Sequence, residues 1–273
     1  MSNKEVNIMG ILRFEMKQYK NSIIVWALAF SLLVIFMLQI FAGMIPEDTS
    51  SMALALEGNA MMDALGMSVE NFLSPLGMFG FLNSFLMLAV AIHATNLGLS
   101  IITKEHMQNT ADFLMTKPYS RKQIFFSKMA AAFCAIFIIA AAYFIGALLA
   151  VVIATGGNFD MGLFMLLYLA FPLIQIIFLL FGVLIGVIIS RVDSTLPVSM
   201  GVSFGLYIIG MFSSVVNSDF ARYFSPFKYF NNNYIMANVR YEGSYLILYL
   251  ILLILSALIS YEIYIKKDIK MLL

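Results

Sequence analysis

The chain has 273 residues, of which 62% are hydrophobic and only 11% are charged, and its mean hydropathy is +0.94. A soluble domain is about a quarter charged, so this composition excludes a soluble globular protein. The formal net charge of +1 and the lack of a basic domain give no support to nucleic-acid binding.

Six apolar runs are long enough to cross a bilayer, since a spanning helix needs about 20 apolar residues. The runs do not alternate apolar and polar positions, as the strands of an outer-membrane barrel would. We therefore predict an all-α integral membrane protein that forms one transmembrane domain over residues 1–273. The predicted spans are 23–45, 79–102, 121–153, 163–189, 196–216 and 245–265.

The basic residues are distributed unevenly between the two sides of these spans. Thirteen of the sixteen Lys and Arg lie before the first span, between the second and third, after the fourth, or after the sixth. The loop 46–78, on the other side, has five acidic residues and no basic one. Loops rich in Lys and Arg stay in the cytoplasm. The pattern predicts a multi-pass protein of the inner (plasma) membrane with both termini cytoplasmic.

Residues 1–22, before the first span, have the pattern of an interfacial helix. Arg13, Lys17 and Lys20 fall on one helical stripe, and apolar residues cover much of the opposite arc, interrupted by Glu15. Such a helix lies on the inner leaflet. A basic flank that only sets the topology is the alternative.

A short helix is predicted at 109–118, in the segment between the second and third spans. Asn109 or Thr110 can cap it, Asp112 suits its first turn, and Pro118 ends it. Its apolar side chains need a partner or the bilayer surface, which indicates a docking element. These side chains are Phe113, Leu114 and Met115.

The third helix is predicted to start before the membrane. Ser120 and Gln123 have the spacing of a Ser-x-x-Gln capping box, and Tyr119 and Ile124 hold the flanking positions of a hydrophobic staple.

The outer segment 217–243 is rich in aromatic residues, which favour the membrane–water boundary. Short extracellular helices, re-entrant or interfacial, would fit this segment, and so would an ordinary aromatic belt. The aromatic residues are Phe220, Tyr223, Phe224, Phe227, Tyr229, Phe230, Tyr234 and Tyr241.

Motifs of enzymatic chemistry are missing from the sequence. There is no Gly-Lys dipeptide and hence no P-loop, no His-Glu-x-x-His pattern and no Gly-x-Ser-x-Gly elbow. We predict no catalytic residue, no metal site and no cofactor bound by this chain. Any chemistry with ATP and Mg would have to come from a partner.

Polar side chains inside the spans are costly and are therefore candidates for a substrate path. Hydrogen bonding between helices is the alternative explanation. No carboxylate lies near mid-membrane, which argues against an ion-coupled transporter. The candidates are Gln39, Asn83, His93, Asn96 and Gln175.

Two small-residue motifs permit close helix contact, either within the bundle or between subunits. They are Gly182-x-x-x-Gly186 in the fourth span and Gly201-x-x-x-Gly205 in the fifth.

Residues 104–121, KEHMQNTADFLMTKPYSR, resemble the loop of type-2 ABC exporter permeases. Members of that family often have, between their second and third spans, a pattern that begins with Glu, continues after a few residues with Thr and apolar positions, and ends with Pro and Ser-Arg. The resemblance extends across nearly the whole chain. In that family this loop forms the coupling helix, which sits in a cleft of the cytoplasmic ATPase.

The resemblance implies a separately encoded ABC ATPase as partner and a second permease copy, expected to form a homodimer with a substrate path between the two bundles. It also implies which residues dock the ATPase. These are Glu105, Asn109, Thr110, Asp112, Phe113, Leu114, Lys117, Pro118 and Arg121.

The cargo expected from this resemblance is a hydrophobic or amphipathic peptide of the toxin, bacteriocin or peptide-antibiotic type, exported from a bacterial cell. The short outer loops and the 20 Met and 25 Phe favour apolar cargo. Lipid-linked polysaccharide, small drugs and sodium remain alternatives. A membrane sensor or scaffold that docks a soluble partner is an alternative of another class.

Overall fold

The computed structural model describes residues 5–44, 73–107, 120–189, 192–216 and 219–266, and these ranges form helices and no strand. The predicted coupling helix, 109–118, lies outside the described residues. In chain order the helices are α1 (Glu5–Met44), α2 (Pro75–Met107), α3 (Arg121–Thr155), α4 (Met161–Ile188), α5 (Thr195–Val215), α6 (Asp219–Arg222), a 3-10 turn (Pro226–Lys228), α7 (Asn232–Asn238) and α8 (Gly243–Lys266).

Six of these helices are long and apolar enough to cross a membrane: α1 to α5 and α8. The predicted all-α integral membrane fold with six spans is thereby confirmed. Short helices also occupy part of the aromatic segment predicted to carry them.

The first helix differs from its prediction, because α1 runs through residue 22 without a break. The described part of the predicted interfacial helix, residues 5–22, and the first span thus belong to one helix of 40 residues. No Gly or Pro stands between Gly10 and Gly43 to interrupt it. At 1.5 Å per residue α1 is about 60 Å long, twice the hydrocarbon thickness, so part of it extends beyond the membrane.

One end of the bundle, called here the basic face, collects the starts of α1 and α3 and the ends of α2 and α8, which side-chain contacts hold together. The other end, the opposite face, carries the short helices. The described Lys and Arg of the basic face are Arg13, Lys17, Lys20, Lys104, Arg121, Lys122, Lys128 and Lys266, and those of the opposite face are Arg222, Lys228 and Arg240. The charge asymmetry of the sequence therefore separates the two ends of the fold.

Helices α2 and α4 form the centre of the bundle. In their most apolar stretches 67% and 61% of the residues are buried, against 17% to 28% for α1, α5 and α8. The central pair crosses closely at glycines. A Cβ at Gly98 would lie 2.9 Å from the Val183 nitrogen, and one at Gly182 would lie 2.9 Å from the Leu99 nitrogen. The Gly182-x-x-x-Gly186 motif thus serves packing within the bundle.

Helix α5 packs on α2 with its small residues and leaves its glycine motif on the other side. Ser199 and Ser203 are buried, and the Ser203 hydroxyl lies 3.4 Å from the Thr95 hydroxyl of α2. A Cβ added at Gly201 or Gly205 would meet nothing within 4 Å. This second motif is therefore open in the single chain.

The helix connections follow the local sequence. The predicted capping box of α3 is confirmed, with the Gln123 N–H donating to the Ser120 hydroxyl and the Ser120 N–H donating to the Gln123 side chain. At the other end of α3, Gly156 takes a left-handed conformation with φ of 64°. Asp160 then caps α4 by accepting from the Leu163 N–H at 3.0 Å. Residues 156–160 thus turn the chain back within a short loop.

Candidate functional site

The candidate site lies at the basic face, where α2 ends at Met107 and α3 begins at Arg121. Of the nine residues predicted to dock the ATPase, only Glu105 and Arg121 belong to the described part of the chain. The other seven lie outside it, namely Asn109, Thr110, Asp112, Phe113, Leu114, Lys117 and Pro118. The structure therefore shows how the two flanks of this segment are held.

Glu105 joins the end of α2 to the start of α3. The Lys128 ammonium donates to both carboxylate oxygens of Glu105 and to the carbonyl oxygen of Ile101, each at 2.6 Å. The Lys128 side chain is 2% exposed and the Glu105 side chain 15%. A buried charge is stable only when it is paired and hydrogen-bonded. The Glu105 carboxylate is thus directed toward α3.

Lys104, the preceding residue, joins α2 to α1. Its ammonium donates to the Glu15 carboxylate and to the Gln18 side-chain oxygen. The same ammonium lies 5.2 Å from the centre of the Tyr19 ring, and the Tyr19 hydroxyl lies 3.1 Å from the Ser100 hydroxyl. Adjacent helix residues point about 100° apart, so Lys104 and Glu105 reach different neighbouring helices.

Arg121 joins the start of α3 to the end of α8. Its guanidinium donates to the Ile265 carbonyl at 3.2 Å. Nearby, the Phe125 ring packs on the rings of Tyr261 and Tyr264, with centroid distances of 5.7 and 5.1 Å. The first two turns of α3 therefore hold the last turns of α8 in place.

We call Glu15, Lys104, Glu105 and Lys128 the basic-face charge cluster. It holds two carboxylates and two ammonium groups, so its formal charges balance. Among the described residues no group of three or more His, Cys, Asp or Glu gathers as a metal site. The cluster can transmit force between helices, because its ion pairs connect α1 and α3 to α2 near the end of α2 at Met107.

Sequence reasoning missed three members of this cluster as site residues: Glu15, Lys104 and Lys128. A signal was present, since charges of opposite sign stand in the basic-face ends of three long, apolar helices, where an unpaired charge would be costly. Which of these charges form pairs became clear only from the packing of the helices.

The sequence matches the family model described as ABC-2 family transporter protein over residues 9–269, nearly its whole length. The chain belongs to this family. It is therefore the membrane subunit of an ABC transporter, which works with a partner ATPase subunit. None of the curated proteins compared with it matches the chain.

Two of the five substrate-path candidates in this ABC-2 permease are hydrogen-bonded between helices. The Gln39 amide of α1 donates to the Ala150 carbonyl of α3 at 2.8 Å. The Asn83 amide of α2 donates to the Leu167 carbonyl of α4 at 2.8 Å, and its oxygen accepts from the Tyr143 hydroxyl at 3.2 Å. Their contacts agree with the alternative explanation, hydrogen bonding between helices.

The other three candidates have polar atoms that lack a hydrogen bond within the described part of the permease. These atoms are Nδ1 of His93, Oδ1 of Asn96 and both amide atoms of Gln175. The His93 ring packs on Trp26 of α1, with centroids 5.0 Å apart, and Gln175 lies between α4 and α3. The substrate path itself stays a prediction.

At the opposite face the short helices are bonded to α2 and α5. The Asn232 amide donates to the Gly80 carbonyl and to the Ser84 hydroxyl, both at 2.8 Å. The Ser225 hydroxyl donates to the Leu206 carbonyl of α5 at 2.7 Å. These bonds close the bundle at the end away from the charge cluster.

A half-buried cationic group belongs to this closure. Burial and the neighbouring Arg222 lower the pKa of Lys228 to about 8. Arg222 itself donates to Glu242 at 2.7 Å and lies 4.2 Å from the centre of the Tyr245 ring. Lys228, Asn231 and Asn232 line a cavity of about 30 Å³, which is room for about two water molecules.

Proposed function

We propose that this permease exports hydrophobic or amphipathic peptides, of the toxin, bacteriocin or peptide-antibiotic type, from a bacterial cell. A separate ATPase docks on residues 109–118 and drives the transport. The observation that carries the coupling half of the proposal is the basic-face charge cluster, which holds both flanks of that segment. The excess of Lys and Arg at the basic face supports placing it in the cytoplasm.

The cluster gives a path for force from the ATPase into the helices. A push on the segment 108–119 reaches α2 next to Glu105 and α3 next to Arg121. The Glu105–Lys128 pair makes these two helix ends move together. The Lys104–Glu15 pair carries the movement to α1, and the bond from Arg121 to the Ile265 carbonyl carries it to α8. Glu105 acts in this proposal as a positioning residue.

The coupling segment is tested with the double substitution F113D/L114D. It is expected to leave ATP hydrolysis by the reconstituted complex running without transport, because charged side chains cannot fill an apolar cleft. Membrane insertion is expected to be unchanged. V239D is the matched control, since Val239 lies at the opposite face with φ of 50°, which Asp tolerates. Unchanged transport by F113D/L114D would refute the docking assignment.

A stripe on α2 supports an apolar cargo. Phe85, Ile92 and Asn96 recur at helical spacing on the partly exposed side of α2. On a helical wheel they lie between His93, which contacts α1, and Thr95, which contacts α5. Phe85 and Ile92 are apolar, Asn96 is polar, and the next position at this spacing is Ser100, whose hydroxyl lies 3.1 Å from the Tyr19 hydroxyl. A second permease facing it would complete a narrow and mainly apolar path, which suits amphipathic cargo.

The cargo is tested with the permease and its ATPase in nanodiscs. Amphipathic helical peptides are expected to stimulate ATP hydrolysis, and they should accumulate in cells that lack the permease. A scrambled peptide of the same composition without an apolar face is the control. Peptide export is refuted if neither stimulation nor accumulation occurs.

We assign the second copy to the open side of α5. Gly201 and Gly205 are one helical turn apart and face away from the bundle, which is the geometry of close helix contact between subunits. G201L/G205L is expected to convert dimers into monomers in nanodiscs, measured by mass photometry. A141L, which adds the same bulk to an exposed position of α3, should leave dimers intact. Dimers that survive G201L/G205L would contradict this interface.

A further inference from the structure

An apolar groove of about 340 Å³ lies between α3 and α4. It opens to the outside of the bundle, because Phe133, Cys134 and Phe137 are exposed, the last to 73%. Its volume lies within the range of small-molecule sites. Within the described part of the chain, the residues that line the groove belong to α3 and α4: Phe133, Cys134, Ile136, Phe137, Ala140, Pro172, Gln175 and Ile176.

Among the described residues that line this α3–α4 groove, the one amide side chain is that of Gln175. Gln175 is fully buried, and neither its amide nitrogen nor its amide oxygen has a hydrogen-bond partner in the described chain. An unpaired amide is costly inside a membrane, where no water can satisfy it. One turn before it, Pro172 has no N–H to offer the carbonyl of Tyr168. By contrast, the Gln39 amide donates to the Ala150 carbonyl.

The depth of Gln175 restricts what can pair with it. It is near the middle of α4, which runs from Met161 to Ile188. At 1.5 Å per residue, either end of the helix is about 20 Å away. The amide therefore lies near the midplane of the bilayer, far from lipid headgroups and water. Only a group carried inside the hydrocarbon layer reaches it.

We propose that the α3–α4 groove binds a membrane lipid whose acyl chain carries a hydroxyl group near its middle. The apolar lining holds the chain. The Gln175 amide donates to the lipid oxygen, and the lipid hydroxyl donates to the amide oxygen. No described residue of α1, α2 or α5 lines the groove, so this site is separate from the α2 stripe proposed to face the cargo. Gln175 then binds lipid and is not part of the predicted substrate path. Local side-chain movement at the groove admits the lipid to the buried amide.

The test uses the purified full-length permease without ATPase or cargo, so its result is independent of the export proposal. The detergent-solubilised protein is mixed with two phosphatidylcholines that differ only by a hydroxyl at carbon 12 of one acyl chain. Native mass spectrometry counts the retained lipids. We expect about a fivefold excess of the hydroxylated lipid, the effect of about one net hydrogen bond.

Two variants separate the amide from the groove. Q175L is expected to abolish the preference and to remain folded, because it removes an unpaired polar group. Q39L is the matched control and should keep the preference, since the Gln39 amide already donates to the Ala150 carbonyl. I176W fills the groove while keeping Gln175, and should reduce the retention of the hydroxylated lipid.

Equal retention of the two lipids by the wild type would overturn the proposal, as would a preference that survives in Q175L. A dimer population that falls in I176W would also overturn it, because the groove would then hold a second copy of the chain.

Discussion

Replacing Lys128 by methionine is expected to lower the free energy of unfolding by about 3–5 kcal/mol, the range for breaking a buried ion pair from one side. Exposed pairs contribute only about 0–1 kcal/mol. The exposures of 2% for Lys128 and 15% for Glu105 place this pair in the buried class. Methionine has an unbranched side chain nearly as long as that of lysine, but it leaves the Glu105 carboxylate without its ammonium partner.

The double substitution E105M/K128M tests the reason for that loss. Removing both charges removes the desolvation cost along with the attraction, so most of the stability should return. A deficit of about 1 kcal/mol is expected to remain, because the Ile101 carbonyl loses the Lys128 hydrogen bond. Unfolding by denaturant in mixed micelles gives the free energies of the wild type and the variants.

The control for this experiment is K266M, which breaks the Lys266–Glu262 pair in an exposed position of α8, with side chains 77% and 55% exposed. No measurable change is expected there. The reasoning is refuted if K128M is no more damaging than K266M, or if E105M/K128M is as unstable as K128M.

Two further predictions use the same unfolding measurement. G182V should cost about 1–3 kcal/mol, because its Cβ meets the α2 backbone, whereas G205V should be tolerated when the monomer is unfolded; equal losses in the monomer would contradict the packing assigned to the two motifs. For Lys228, whose pKa is lowered from 10.5 to about 8 by burial, the unfolded chain binds more protons between these pH values. The free energy of unfolding of the wild type relative to that of K228M should therefore rise by up to about 3 kcal/mol from pH 8 to 10.5, since the titration of the other groups cancels in this difference; a difference that stays flat over this range would disprove it.

Features that depend on local sequence could be predicted. Six apolar runs required six membrane-spanning helices, and Ser120 and Gln123 required a capped start for α3, because both depend on residues within a few turns of each other. The length of α1 was missed although the signal was present. The basic stripe suggested a separate interfacial helix, but no Gly or Pro stands near residue 22 to separate it from the span.

The candidate site could be predicted only in part, because its members are far apart in the sequence. Lys104 is 89 residues from Glu15, and Arg121 is 144 residues from Ile265. Charges near the ends of apolar helices indicate that each has a partner, since an unpaired buried charge is costly. They do not indicate which helix supplies the partner residue.

The sequence by itself therefore determined a membrane protein of six helices and the likeness of its loop to a transporter family. The tertiary structure decided which side chains meet. Gly182 and Gly201 begin the same motif, yet one touches the α2 backbone and the other is open. Gln39 and Gln175 are the same residue in similar apolar surroundings, yet within the described residues only Gln39 has a hydrogen-bond partner. The physical reason is that contact depends on how helices cross, which the pattern along one helix does not contain.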